Sequence, residues 1–184
     1  MIVVWILLGI VIVSAFMAIG IYNGLVQSKN QVKNGWSQID VQLKRRHDLI
    51  PNLVETAKGY MQHERTTLDS VTQARSQAMG AQSIPEKIKA ETSLGAAMNK
   101  FLLTVEQYPD LKANQNFLAL QEELSSTENR IAFARQHYND SVMSYNNQIQ
   151  MFPSSVVAGA FHFTPEVFFE VDDKAQRATP QVKF

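Results

Sequence analysis

The sequence predicts an all-α fold in which an N-terminal transmembrane helix precedes an antiparallel bundle of three long helices and a short C-terminal helix. Three observations support this prediction. Residues 2–21 carry no charged side chain, residues 117–152 repeat apolar side chains every seven positions, and the 184-residue chain contains only eight Gly and six Pro. Because a loop-rich β fold needs many turn residues, this composition favours helices.

The N-terminal segment has the length and composition of a membrane span. A helix rises about 1.5 Å per residue, so the uncharged run reaches roughly 30 Å, the thickness of a bilayer core. A cleaved signal peptide is the alternative, but no Lys or Arg precedes the run, and the run is longer than such a peptide requires. We therefore predict a transmembrane helix at 1–22, a helical-bundle domain at 23–173 and a flexible tail at 174–184.

The charges that follow the span predict its orientation. Lys29 and Lys33 come before the first acid, Asp40, and cationic flanks stay in the cytoplasm. The N-terminus should therefore face outward and the bundle should lie in the cytoplasm. Along a straight helix Arg46 would stand about 36 Å from Tyr22, too far to feel lipid charge. The candidate lipid-facing residues are Trp5, Tyr22, Lys29 and Lys33.

Apolar spacing predicts that the first long helix of the bundle continues to about residue 79. Pro51 falls within it and has two interpretations. It either kinks one continuous helix or lies in the first turn of a new helix that begins with Asp48 as N-cap. The spacing of Leu43 and Ile50 continues past the proline without a slip, which favours the kink.

Two further long helices follow. Ser83 is expected to cap a helix at 85–107, and Asp110 is a plausible cap for the third helix. Thr164, followed by Pro165, is expected to start the short C-terminal helix. The third helix has six successive apolar positions that are each seven residues apart, a spacing typical of a coiled coil. These positions are Phe117, Leu124, Ile131, Tyr138, Tyr145 and Phe152.

The charged segment "KRRHD" at 44–48 could be a catalytic cluster, an ion-paired helix surface or a contact between protomers. No nucleotide-binding, serine-hydrolase or zinc motif is present, and no two His stand three or four apart. An enzyme or metal site using His47 or His63 therefore remains only an alternative. The favoured interpretation is ion pairing, within the chain or with a neighbour. The candidate residues are Asp40, Lys44, Arg45, Arg46, His47, Asp48, Glu122, Glu123 and Glu128.

The composition excludes several other classes of function. The chain has no Cys and a formal net charge of zero, which rules out disulfides and thiolate sites and argues against nucleic-acid binding. No cofactor or metal is expected. Near the C-terminus four Phe either cover the end of the bundle or form an interface with membrane or another copy. They are Phe161, Phe163, Phe168 and Phe169.

Several segments resemble the LemA family of bacterial membrane proteins. They are "YNGLVQSKN", "NGWSQIDVQLKRRHDLIPNLVETAKGYMQHE", "TQARS" and "YNNQIQMFPSSVVAGAF", together with the late "FF". The resemblance implies a transmembrane helix with a short external N-terminus and a helical-bundle domain. LemA-like proteins include one needed for magnetosome membranes, which implies work in scaffolding or membrane shaping. The resemblance implies no catalytic residues.

We therefore expect a non-enzymatic scaffold at the bacterial inner membrane that contacts lipid and associates into a larger homo-oligomer. The expectation rests on the long apolar seams, which offer more surface than a single bundle of unequal helices needs to bury. An adaptor that binds another membrane protein, such as a protease, is the first alternative.

Overall fold

A computed structural model describes residues 1–169, and its regular secondary structure in that range is entirely α-helical. The all-α prediction is confirmed. The predicted tail at 174–184 and the last four residues of the predicted bundle domain lie outside the described residues. The helices are α1 (Ile2–Lys58), α2 (Arg65–Gly80), α3 (Ile84–Val105), α4 (Pro109–Lys112), α5 (Gln115–Gln150) and α6 (Ser154–Ala160).

Helix α1 is 57 residues long and includes the uncharged N-terminal run. This part of α1 is long and apolar enough to cross a membrane. Its large apolar side chains are exposed, as expected for side chains that face lipid. The helix continues through Pro51, in agreement with the favoured interpretation of that residue.

The prediction that this helix continues to residue 79 is wrong. Helix α1 ends at Lys58, Gly59 follows, and α2 begins at Arg65. The turn brings two apolar rows, one on each helix, into the same core, where Leu53 and Val71 are both fully buried. A single straight helix would have separated these rows by many turns, so burial outweighs the continuous spacing.

The expected cap of α3 is confirmed and that of α5 is wrong. The Ser83 side chain accepts a hydrogen bond from Glu86 N–H, and the Glu86 side chain accepts one from Ser83 N–H, which completes a capping box. Asp110 instead lies in the first turn of the four-residue α4. The residue that caps α5 is Asn114, whose Oδ1 accepts a hydrogen bond from Phe117 N–H at 3.1 Å.

The expected helix start at Thr164 is also wrong, since no helix is formed over 163–169. The backbone there bonds to side chains of α5 instead. Tyr145 donates to the Thr164 carbonyl at 3.0 Å, and Asn146 exchanges two hydrogen bonds of 2.9 Å with the Glu166 backbone. The short helix of this region is α6, which immediately follows the end of α5.

The described chain divides into two compact units, and α1 and α5 contribute to both. The first unit comprises Met1–Leu43 and Glu128–Phe168, and the second comprises Lys44–Thr127 with Phe169. In the first unit α1 and α5 run antiparallel. Gly35 on α1 faces Tyr138 on α5, and Val41, farther along α1, lines one groove with Phe133, which comes earlier on α5. The predicted domain boundaries stay a prediction.

The core of the first unit lies along the seam of this helix pair. In this unit three of the heptad positions predicted on the third helix are buried, Ile131, Tyr138 and Tyr145, whereas Phe152 follows the end of α5 and is 83% exposed. The other two positions, Phe117 and Leu124, are buried in the second unit. The Trp36 and Tyr138 rings meet edge to face at 5.5 Å.

The second unit is a bundle of the C-terminal part of α1, helices α2 to α4, and the N-terminal part of α5. One apolar cluster fills it, and the Phe101 and Phe117 rings meet inside that cluster at 6.4 Å. Asn114 donates to the Tyr60 hydroxyl at 3.0 Å, which joins the turn after α1 to the start of α5.

Candidate functional site

A buried ion cluster lies between helices of the second unit. Arg46 on α1 donates to one carboxylate oxygen of Glu91 on α3, and His47 Nε2 is 2.8 Å from the other oxygen. Glu91 is only 6% exposed. Arg75 on α2 donates from Nε to the His47 carbonyl at 2.6 Å, so the cluster links three helices.

The carboxylate of Glu91 is held in its charged form. Burial alone would raise its pKa, but the hydrogen bond from His47 and the charge of Arg46 outweigh burial, and the pKa of Glu91 is lowered from its ordinary value. His47 is largely buried in this cluster, which is a structural role for a residue considered as a catalytic candidate. His63 is exposed near the start of α2.

Sequence analysis did not name Glu91, although a signal for it was present. Ile84, Glu91, Met98 and Val105 are seven apart, so a charged residue occupies an apolar position of α3. Arg46 likewise stands three residues after Leu43, on the side of α1 that packs. Charged residues at packing positions on two helices are candidates for a buried pair.

The other charged candidates lie at the surface. Arg45 pairs with Glu123 on α5 at 2.8 Å, and both side chains are almost half exposed. The structure does not bring the whole predicted set together. Its exposed members are Asp40, Lys44, Asp48, Glu122 and Glu128.

The candidate lipid-facing and aromatic residues of the first unit partly meet. The Tyr22 ring contacts the Phe161 ring at 4.8 Å and the Phe163 ring at 5.7 Å. Lys29 lies 5.9 Å from the Phe163 ring centroid and 3.8 Å from Glu166 Oε1. The remaining candidates lie elsewhere: Trp5, Lys33 and Phe168 are exposed, and Phe169 is buried.

A surface groove between α1 and α5 of the first unit was not anticipated. Its large apolar side chains are Val41, 64% exposed, and Phe133, 74% exposed. Arg130 and His137 stand one turn to either side of Phe133 and also line the groove. Exposed apolar side chains within a groove edged by polar groups are typical of a protein contact surface.

Within residues 1–169, no three His, Asp or Glu side chains lie close enough to hold a metal ion. Of the two histidines considered for an enzyme, one is buried in the ion cluster and the other is exposed.

The chain is similar to characterised families and proteins. The sequence model of the LemA family matches residues 35–184. The chain is 31% identical to protein LemA of Metamycoplasma hominis over 147 residues, which are 78% of this chain and 66% of that protein.

Magnetosome proteins are also similar to it. Identity to MamQ 2 of Paramagnetospirillum magneticum is 22% over 175 residues, 81% of this chain and 64% of that protein. Identity to MamQ of Magnetospirillum gryphiswaldense is 23% over 163 residues, 74% of this chain and 60% of that protein. The chain thus spans slightly less than two thirds of the length of these relatives.

Neither the family nor these relatives carry the name of an enzyme. The family match covers more than half of the chain, and the apolar part of α1 precedes it. Together they indicate a membrane-associated protein, and the chain belongs to the LemA family.

Proposed function

We propose that this protein is a non-enzymatic, membrane-anchored scaffold whose copies associate with one another through the groove between α1 and α5. The observation that carries the proposal is the exposure of Phe133 and Val41 on a helix pair that continues directly from an apolar membrane-crossing segment. The resulting homo-oligomer would organise or shape the membrane, an extension supported by the similarity to magnetosome proteins.

Anchoring favours a second copy as the occupant of the groove. All copies that cross the membrane through α1 present their grooves at the same height and in the same orientation. Diffusion in two dimensions brings these equivalent surfaces together, and covering two Phe133 side chains removes apolar area from water. The Gln42 amide oxygen, buried at the edge of the groove, has no hydrogen-bond partner within the described chain. A donor from a neighbour would satisfy it.

A photo-crosslinking residue placed at position 133 tests the proposal in native membranes. We expect benzoylphenylalanine there to capture a second copy, which mass spectrometry identifies by crosslinked peptides of this chain alone. The same residue at Leu103, an equally exposed apolar position on α3, is the matched control and should capture far less. Capture of a single foreign membrane protein at position 133 would overturn self-association and favour the adaptor.

We further propose an inner-membrane location with the N-terminus outside and the helical units in the cytoplasm. Support comes from Lys29 and Lys33, which closely follow the span and come before the first acidic residue. The chain has no Cys, so a cysteine introduced for Ser37 is a unique label site. In intact cells stripped of outer membrane, we expect a membrane-impermeant maleimide to leave it unlabelled until the membrane is opened. Immediate labelling would contradict this orientation and place the helical units outside.

A further inference from the structure

Two runs without charged side chains lie together in the first unit. On α1 no Asp, Glu, Lys or Arg occurs before Lys29, and the C-terminal run extends uncharged from residue 141 to residue 165. The first charged residue after each run is Lys29 and Glu166, respectively, and these two meet at 3.8 Å. The charged surface of the first unit therefore ends at the same place on both segments.

The C-terminal run returns to the end of the membrane span. Phe161 and Phe163 contact Tyr22, the last residue of the predicted span. Spacing leads to the same conclusion. Gly35 on α1 faces Tyr138 on α5. Ile21 lies 14 residues before Gly35, and Phe152 lies 14 residues after Tyr138. At about 1.5 Å per residue, Phe152 and Ile21 lie at similar heights, roughly 20 Å from that contact.

The corner formed by the end of α5 and by α6 exposes large apolar side chains at that height. Val157 and Ala158 of α6 are buried, which fixes the outward direction of the rest. The exposed side chains of this corner are Met151, Phe152, Val156 and Phe161. Exposure of these apolar side chains to water is unfavourable, whereas Phe and aliphatic side chains are stabilised at the boundary between headgroups and acyl chains.

We propose that this α5–α6 corner is a second membrane contact, which inserts into the interfacial layer of the bilayer that α1 crosses. A lipid surface fits better than a protein because the patch adjoins the span, is uncharged over 25 residues and is bounded by the Lys29–Glu166 pair. Lys29 is the cation nearest to this boundary, and anionic headgroups would be attracted to it. Two contacts, the α1 span and the corner, hold the first unit in one orientation to the membrane.

The inference rests on the membrane anchor of the proposed function, and one experiment separates the two. The full chain, which lacks Cys, is reconstituted into phosphatidylcholine vesicles whose acyl chains carry nitroxide quenchers. A polarity-sensitive fluorophore is attached to single cysteines introduced as Phe152→Cys or Val156→Cys. Ile12→Cys reports the span, and Ser37→Cys is the control, exposed, outside the groove and about 22 Å along α1 from Tyr22.

We expect the labels at 152 and 156 to be quenched several-fold more than the label at 37, and the label at 12 to be quenched as well. If the label at 12 is quenched but those at 152 and 156 behave like the label at 37, the second contact is refuted and the anchor stands. If 152 is shielded from water but not quenched, a second copy covers the corner and the inference is again refuted. Absence of quenching at 12 would overturn the anchor and, with it, this inference.

Discussion

In the second unit Glu91 is buried between Arg46 and His47, whereas in the first unit the charged side chains stop at the Lys29–Glu166 pair and leave an apolar corner exposed. The second unit holds its buried carboxylate between two cationic or hydrogen-bonding side chains beside one apolar cluster. The first unit has a single packed seam and keeps large apolar side chains on its outer surface. Buried ion pairing and exposed apolar surface therefore lie in different parts of this chain.

Removal of the Glu91 carboxylate should destabilise the second unit, and this is the largest effect that we expect. Glu91→Leu removes the buried Glu91 carboxylate that Arg46 and His47 contact, and loss of one partner of a buried pair costs about 3–5 kcal/mol. Hydrogen exchange of the full chain in detergent should show lost protection in α2 and α3. Protection of α5 amides between Tyr138 and Ile149 should persist. Equal loss in both units would contradict the contrast between them.

The same cluster predicts sensitivity to acid. The folded-state pKa of Glu91 lies below its unfolded value near 4.5, so its contribution to stability is present above about pH 4.5. That contribution is lost as the pH falls through the folded-state pKa. A Glu91→Gln variant should therefore show a flatter decline of unfolding free energy in acid than the wild type. Parallel declines would show that Glu91 carries no such contribution.

Substitution of Gly35 by alanine should destabilise the first unit. A Cβ at Gly35 would lie 3.2 Å from Tyr138 Cα, a backbone atom. Gly35→Ala should destabilise the first unit by about 1–3 kcal/mol through overpacking. The matched control is Gly95→Ala on α3, where nothing lies within 4 Å and a gain of up to about 1 kcal/mol is expected. Thermal unfolding compares the two, and a stabilising Gly35→Ala would refute the close approach.

Tyr138 should make the stability of the first unit depend on pH in the alkaline range. Burial, with a smaller contribution from the charge of Glu166, raises the pKa of the Tyr138 hydroxyl to about 12. Its stabilising effect is complete below the unfolded pKa of about 10 and is lost as the pH rises toward the folded value. Tyr138→Phe should remove this alkaline loss. At neutral pH it should cost about 1 kcal/mol, since the hydroxyl donates to the Val167 carbonyl at 2.7 Å.

The smallest effect is expected at the exposed pair. Arg45 and Glu123 remain almost half exposed, so Glu123→Gln should cost at most about 1 kcal/mol, and less in high salt. Compared with Glu91→Gln, this variant isolates the effect of burial on one kind of ion pair. A loss as large as that at Glu91, measured by chemical unfolding, would show that the surface pair is more important than its exposure indicates.

Periodicity predicted the parts of the fold that depend on local sequence. It gave the all-α class, the helix at 85–107 and the packed positions of the long third helix, because apolar spacing and capping act within a few turns. It did not predict the turn after Lys58, whose benefit is the burial of Leu53 with Val71, distant in sequence. The extended segment after Phe163 was missed for a similar reason, since its partners are tyrosine and asparagine side chains of α5.

The candidate site was less predictable than the fold. The sequence identified Arg46 and His47 but not their carboxylate, because choosing among many glutamates requires the pairing of helices. The groove at Phe133 was missed because that residue lies outside the seven-residue repeat, where an exposed side chain leaves no periodic signal.

The mass of the detergent-extracted particle is the most direct test of self-association. Mass photometry of the wild-type chain should give a particle of several copies, and Phe133→Glu, which places a charge in the groove, should give a smaller one. Leu103→Glu, a charge at an equally exposed position outside the groove, should leave the mass unchanged. A wild-type chain that is monomeric at micromolar concentration would contradict the proposed scaffold.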